Sequence, residues 1–227
     1  MEFGRRGPDS PVRLALADDE ALLRRGLRVV LEADPRITVV AEAADGAELL
    51  DAIRRHRPDV VLIDVQMPGT DGLTALRRIR ALPDQPAAAM LTTFDVDEYV
   101  IEALDLGANG FLLKDADPDN LVRAVLDLAA GGAVLDPRIT ARLLPLLRSS
   151  GLFRAAVAVP ALTTRERQVL DLIAAGGSNA AIARTLGLTE ATVKGYVSAV
   201  FGKLGVRNRV QAAVAAQRIS GVVDRSA

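Results

Sequence analysis

No cysteine occurs in the 227 residues, so a disulfide framework and any thiolate metal site are excluded. A single histidine, His56, excludes a His-pair metal centre and catalysis built on several histidines. His56 ends a predicted helix in the polar run Arg-Arg-His-Arg-Pro and reads as a surface residue. Tryptophan is absent and aromatic residues make up 3%. With half the chain hydrophobic, the core must be built from Ala, Leu, Val and Ile. No apolar run approaches the ~18 residues of a membrane-spanning helix. Met1 to Ser10 carries Arg5 and Arg6 but no apolar stretch, which is not the pattern of a secretion signal. These absences predict a soluble, cytoplasmic protein with no membrane partner, long enough for one large domain or two modest ones.

The net charge of −1 conceals an asymmetry. Residues 161–227 carry nine Lys/Arg against four Asp/Glu, a net of +5, and the remainder has a net of −6. An acidic front and a basic back suggest two domains, with nucleic acid a candidate partner of the second.

The front half is organised around Asp64. Val60-Val61-Leu62-Ile63 reads as a strand buried on both faces. It ends on this carboxylate, and Pro68, Gly69 and Gly72 mark a turn after it. After a polar leader over residues 1–11, strands are expected over residues 12–17, 37–42, 60–64, 87–91 and 110–113, each followed by a helix. Asp117 with Pro118 caps the fifth helix. Successive β-α units imply a parallel doubly wound sheet, whose chemistry sits at the carboxyl ends of its strands. Four strands end on Asp18-Asp19, Asp64, Thr92-Thr93 and Lys114, so these side chains should converge on one edge. Packed carboxylates repel one another, and a hard cation such as Mg2+ relieves this. Asp19, Asp64 and the backbone carbonyl of Gln66 can supply ligands, with Asp18 acting through water. A carboxylate is a nucleophile toward phosphorus, Lys114 neutralises phosphoryl charge, and the Thr92 hydroxyl can bind a phosphoryl oxygen.

The Asp-Asp pair, Asp64-x-x-Met-Pro-Gly-x-Asp-Gly, Thr92 and Lys114 resemble the receiver domain of bacterial two-component response regulators. The resemblance covers residues 12–130. It implies a five-stranded flavodoxin-like sheet with Asp64 as the acceptor of a phosphoryl group from a sensor histidine kinase. It further implies Mg2+ held at Asp18 and Asp19, Thr92 as the switch hydroxyl, Phe111 as the aromatic that follows it, and Lys114 as the phosphate-pairing lysine. Gln66 and Phe94 stand where the family tunes loss of the phosphoryl group to water. One departure is Lys114-Asp115, where many receivers have Lys-Pro.

Gly131-Gly132 breaks the fifth helix and opens a linker over residues 131–160, with a short helix expected over 138–147, interrupted at Pro145. From residue 161 an all-α four-helix domain is expected, followed by a tail over 221–227. Thr163 and Glu166 have capping-box spacing. Ser178 caps a second helix over 179–186, Gly187 ends it, and Thr189 caps a third helix to about Leu204. A fourth runs over 206–217. Two short helices joined by a glycine turn suggest a helix-turn-helix.

Leu-Thr-x-Arg-Glu-x-x-Val-Leu, Asn-x-x-Ile-Ala, Leu-x-Glu-x-Thr-Val-Lys and Lys-Leu-Gly-Val-x-Asn-Arg resemble the LuxR-type DNA-binding domain over residues 161–220. Together with the receiver, the chain resembles the NarL/FixJ family of transcription regulators. The resemblance implies that the third helix reads the major groove. Val193, Val197, Val200 and Leu204 share one face of that helix and should be inward, leaving Ala191, Lys194, Gly195, Ser198 and Gly202 outward. Lys194 matches the family's base- or phosphate-contacting lysine, with Gly195 and Ser198 beside it on the reading face. Thr189, Thr192, Lys203, Asn208 and Arg209 are candidate phosphate contacts. So bare a face predicts binding that leans on phosphates, DNA shape and pairing of two chains on a two-fold site. The alternative is a regulator that binds DNA without phosphorylation. An aspartyl-phosphate phosphatase is disfavoured because Asp64-Val65-Gln66 lacks that family's second Asp. A purely protein-binding output is disfavoured by the +5 charge and Lys194.

Overall fold

The computed structural model describes residues 10–93, 97–136, 138–139 and 161–223. Nearly all of the expected leader, most of the expected linker helix, Phe94 and the last four residues of the tail lie outside the described residues.

The front half alternates strand and helix: β1 (Val12–Ala17), α1 (Ala21–Glu32), β2 (Ile37–Ala43), α2 (Gly46–His56), β3 (Val60–Asp64), α3 (Gly72–Ile79), β4 (Ala87–Thr92), α4 (Asp97–Leu106), β5 (Gly110–Leu113), α5 (Pro118–Ala129) and β6 (Val134–Leu135). All strands pair parallel in the order β2-β1-β3-β4-β5-β6. The last strand is an addition to the expected five. Its two residues lie in the segment assigned to the linker, where Val134 pairs with Gly110 and Leu135 with Phe111. A two-residue strand leaves no periodic pattern in a sequence, and it forms only because β5 presents an unpaired edge.

The sheet is covered on both faces, which is why β3 is apolar at every position before Asp64. Ala15, Val61, Ile63, Met90 and Phe111 point to one side, where α2, α3 and α4 pack with Leu49, Ile53, Leu76, Ile79 and Ala103. Leu14, Leu16, Leu62, Leu91 and Leu112 point to the other, against Leu27 and Leu31 of α1 and Leu121, Val125 and Leu128 of α5. A buried Leu or Val contributes about 1.5–3 kcal/mol, so these two layers dominate the receiver's stability. The connections set the switch point. From β1 the chain moves outward to β2, and from β3 it moves the other way, so the crevice between β1 and β3 opens at their carboxyl ends.

Side-chain caps fix the entry of the helices that border this crevice. Asp45 accepts from Ala47 and Glu48 N–H, each at 2.8 Å, to start α2. Asp71 accepts from Thr74 N–H at 2.8 Å to start α3. Gly72 is required there by closeness, since a Cβ would lie 2.0 Å from the Asp64 carbonyl oxygen.

The described residues of the back half form four helices: α6 (Thr164–Ala174), α7 (Asn179–Leu186), α8 (Glu190–Leu204) and α9 (Arg209–Val223). Thr163 and Glu166 form the expected capping box. Ser178 and Thr189 cap α7 and α8, and Gly187 ends α7 in a left-handed conformation. Their core joins Val169, Leu170, Ile173, Ile182, Val193, Val200, Ala212 and Ile219. The last helix begins at Arg209 and not at Val206, because Asn208 caps it by accepting from Gln211 N–H at 2.8 Å. Among the described residues no helix is long and apolar enough to cross a membrane.

Candidate functional site

The carboxyl ends of β1, β3, β4 and β5 bring Asp18, Asp64, Thr92 and Lys114 to one edge. Asp18, Asp64 and Thr92 are buried, and Asp19 is exposed at the rim. The Lys114 ammonium lies 2.9 Å from Asp64 Oδ2 and 2.9 Å from Asp18 Oδ2, with Glu20 at 3.6 Å. The other Asp18 oxygen accepts from Glu20 N–H at 2.8 Å, and the Arg24 guanidinium donates to the Asp18 carbonyl. Gln66 N–H is directed at Asp64 Oδ1 at 3.3 Å.

Burial pushes the Asp64 carboxyl above the ordinary carboxylate range, and the neighbouring Asp18 charge adds to this. The Lys114 hydrogen bond and charge oppose the rise without cancelling it. Burial alone would push the Lys114 ammonium down, but its hydrogen bond to Asp64 and the close Asp18 carboxylate reverse that and raise it. The pocket therefore holds one firmly charged cation between two carboxylates that would repel one another without it.

Asp18, Asp19 and Asp64 each offer an oxygen within 4.8 Å of the others. Asp18 Oδ2 is buried and receives no well-directed hydrogen bond, although the ammonium is close. A buried acceptor left in that condition, facing two further carboxylates, fits a hard divalent cation with oxygen ligands. An open cleft of about 630 Å3 runs from Asp19 past Gln66, Met67 and Asp71 to Tyr99, so the rim is reachable from solvent.

The remaining two residues of the edge lie one layer back. Thr92 Oγ1 donates to the Thr93 carbonyl at 2.9 Å and is not directed at Asp64. Phe111 is fully buried, paired with Met90 across β4 and β5. Glu20 and Arg24 were not legible as site residues. They follow the acidic pair on α1 and its approach, and only the fold shows that they reach Lys114 and the Asp18 carbonyl.

In the back half, Val193, Val200 and Leu204 are buried and Val197 is half-buried, so the expected inward face of α8 is inward. Thr189, Thr192, Lys194, Gly195 and Ser198 are exposed. A Cβ on Gly195 or Gly202 would meet nothing within 4 Å, so neither glycine is imposed by packing. Thr189 and Thr192 spend part of their capacity on each other, with 2.9 Å between hydroxyls and a cap bond from Thr192 N–H.

Three expected phosphate contacts are engaged elsewhere. Lys203 Nζ lies 2.7 Å from Glu166 Oε2, where it closes the capping box of α6. Asn208 is fully buried and donates from Nδ2 to the Leu104 carbonyl of the receiver at 2.6 Å. Arg209 is also buried, and its guanidinium donates to the Gly131 carbonyl and to Asn179 Oδ1, each at 3.1 Å, and to the Gly177 carbonyl. Burial pushes Arg209 down to about 10, which leaves it charged at neutral pH. Their sequence neighbourhood carried no sign of this, because all the receiver partners lie 78 or more residues away.

Residues 14–126 match the family described as the response regulator receiver domain, and residues 160–216 match the bacterial regulatory proteins of the luxR family. The chain is 40% identical over 207 residues to the probable transcriptional regulatory protein NarL of Mycobacterium tuberculosis strain H37Rv, covering 91% of this chain and 94% of that one. It is 38% identical over 206 residues to the nitrate/nitrite response regulator protein NarL of Escherichia coli K12, covering 90% and 94%. Among solved structures it resembles the response regulator ChrA of a heme-sensing two-component system, with 37% identity, 93% and 98% coverage and a TM-score of 0.53.

Proposed function

The chain belongs to the NarL-type transcriptional regulators of two-component systems, which join a receiver to a LuxR-type DNA-binding domain, and on that basis we propose that Asp64 is the residue phosphorylated by its sensor histidine kinase. The observation that carries the reading is the Lys114 ammonium poised 2.9 Å from both Asp64 and Asp18, with Asp19 at the open rim.

Asp18, Asp19, Asp64 and the Gln66 carbonyl would hold Mg2+, with Asp18 acting directly or through water. When bound, Mg2+ supplies charge neutralisation for the phosphoryl oxygens and the Asp64 carboxylate. An Asp64 oxygen attacks phosphorus, the P–N bond to the kinase histidine breaks, and its electron pair stays on the imidazole, which takes up a proton. Lys114 exchanges part of its contact with Asp64 for the phosphoryl oxygens. The Thr92 hydroxyl leaves the Thr93 carbonyl to donate to a phosphoryl oxygen, and Phe111 follows into the space Thr92 vacates. Hydrolysis of the acyl phosphate returns the pocket to its starting state, assisted by no group beyond the receiver's own.

The output is binding to double-stranded DNA through α8. Lys194 is the principal cation of the reading face, with Thr189 and Thr192 at its N-terminal end and Gly195 and Ser198 beside it. The proposed division is a leader over 1–11, a receiver over 12–130, a linker over 131–160, a DNA-binding domain over 161–220 and a tail over 221–227. A homodimer on a two-fold site would multiply weak half-site affinities. A DNA partner fits a protein that works in the cytoplasm.

The test is the intact mass of the protein after incubation with Mg2+ and acetyl phosphate. The wild type gains one phosphoryl group and the Asp64→Asn variant gains none. Failure of the wild type to label with acetyl phosphate or with any kinase would favour a regulator that binds DNA unphosphorylated.

A further inference from the structure

The two domains meet at a small, specific contact. Its receiver side is the last turn of α4, where helix carbonyls have no partner within the helix. The Leu104 carbonyl accepts from Gly107 N–H at 3.1 Å, from Asn208 Nδ2 at 2.6 Å and from Gln211 Nε2 at 3.0 Å. Arg207 donates to the Asp105 carbonyl at 3.3 Å, placing a cation at the negative end of α4. Val210 packs against the receiver core cluster that contains Leu104 and Phe111. A second strand of contact runs from the end of α5, where Asn179 N–H donates to the Ala130 carbonyl at 3.3 Å and Arg209 donates to the Gly131 carbonyl. Gly131 has φ +76°, and a Cβ there would run into the Asn179 side-chain amide, so that side chain sits against the Gly131 backbone as closely as a glycine permits.

Asn208 is shared between the domains. Its Oδ1 caps α9 by accepting from Gln211 N–H, while its Nδ2 holds the receiver. Only an amide offers an acceptor and a donor in that geometry. By contrast, among the described residues no hydrogen bond or ion pair joins α8 to the receiver, and Lys194, Gly195 and Ser198 remain exposed in the docked chain.

We propose that the receiver holds the DNA-binding domain by the cap of its last helix and leaves the reading face open, so that the docked chain engages DNA as well as the undocked one. Docking covers Asn208 to Gln211, the cap and first turn of α9, and not α8. Any other partner of that turn, including a second copy of the chain, must displace the receiver to reach it. The proposal rests on the reading of α8 as the DNA-binding helix.

Two substitutions separate the cap from the clasp. Asn208→Ser is neutral and keeps a capping oxygen but is too short to reach Leu104. Asn208→Asp also caps, and it sets a carboxylate against the Leu104 carbonyl. Full-length wild type and both variants would be compared by small-angle scattering for docking, by circular dichroism for helix content, and by fluorescence anisotropy with a short labelled duplex of arbitrary sequence at low salt. The expected result is unchanged helix content, a larger radius of gyration in both variants, and duplex affinity within about twofold of wild type for Asn208→Ser, because a ligand that binds two states equally shifts neither. A gain of about tenfold or more on opening would show that the docked receiver blocks α8 and would overturn the proposal. Retention of the wild-type radius by both variants would overturn the clasp. No binding by any of the three proteins would overturn the reading of α8 itself, and the inference with it.

Discussion

The proposed phosphoacceptor edge of the receiver and the proposed reading face of α8 are built on opposite terms. At the edge, Lys114 lies within hydrogen-bond reach of both Asp18 and Asp64, and Asp18, Asp64 and Thr92, from three neighbouring strand ends, are buried. On α8 the proposed contact residues are exposed and, apart from Lys194, small, and the face carries two glycines whose Cβ positions open into empty space. A buried constellation works by mutual geometry, so removing one member disables it. An exposed face works by additive contacts, so removing one member weakens it. This contrast orders the expected effects.

The largest is at Asp64. Asp64→Asn should abolish acyl-phosphate formation outright, read as mass gain with acetyl phosphate and Mg2+, because no neighbouring carboxylate occupies the same strand end. The fold should not suffer. Burial raises the Asp64 carboxyl, so in the absence of a divalent cation its ionised form costs stability as pH climbs through and above the ordinary carboxylate range. The wild type should therefore lose thermal stability relative to Asp64→Asn between acid and neutral pH. A variant melting well below wild type at neutral pH would show that the carboxylate is a structural anchor for Lys114.

Next come matched core substitutions. Leu62 in β3 and Leu170 in α6 are both fully buried, and Leu→Ala at such sites costs about 2–5 kcal/mol. Calorimetry of each variant should show a lowered transition for the domain that carries it. Leu62 packs among leucines of the sheet, α1 and α5, whereas Leu170 sits in a core rich in alanine. The Leu62→Ala loss should then lie nearer the upper end. Equal shifts of both transitions by either variant would mean that the clasp at Asn208 makes the chain unfold as one unit.

The same contrast explains what the sequence disclosed. The sheet edge was legible because parallel strands of known order must deliver their last residues to one place, so Asp18, Asp64, Thr92 and Lys114 could be assembled from the hydrophobic pattern alone. The caps at Asp117, Thr163, Ser178 and Thr189 were legible because capping is local. The inward valines of α8 followed from helical period. Asn208 and Arg209 were misplaced because a buried interdomain contact has no local signature. An asparagine before a helix reads the same whether its amide meets phosphate or a carbonyl 104 residues away. Lys203 was misplaced for a related reason: Glu166 is visible as a capping residue, but its pairing with a lysine two helices later depends on how α6 crosses α8.

On α8, Lys194→Ala should weaken binding to any duplex and leave phosphorylation at Asp64 intact. If Lys194 meets a phosphate, the slope of log affinity against log salt should fall by about 0.9, uniformly across sequences. If it meets a base edge, the loss should instead concentrate at one position of the site, at about 1–3 kcal/mol, with little change in slope. A salt titration on two unrelated duplexes separates the two.

The smallest effect, and the one that probes the bare face most directly, is Gly195→Ala. Gly inside a helix is about 1 kcal/mol less favourable than Ala, and nothing within 4 Å opposes a methyl group at this position. Gly195→Ala should therefore raise the thermal midpoint of the DNA-binding domain by a few degrees. A protein that forgoes this stability at an exposed, unhindered position gains something from the missing methyl, and on a groove-facing surface that gain is closer approach of the backbone to the bases. The variant should then be more stable and yet bind its operator more weakly, with an unchanged salt slope, because contact is lost and no charge is removed. Stabilisation with undiminished affinity would show that Gly195 stands clear of the DNA, and would leave Lys194 and Ser198 to supply the specificity of the face.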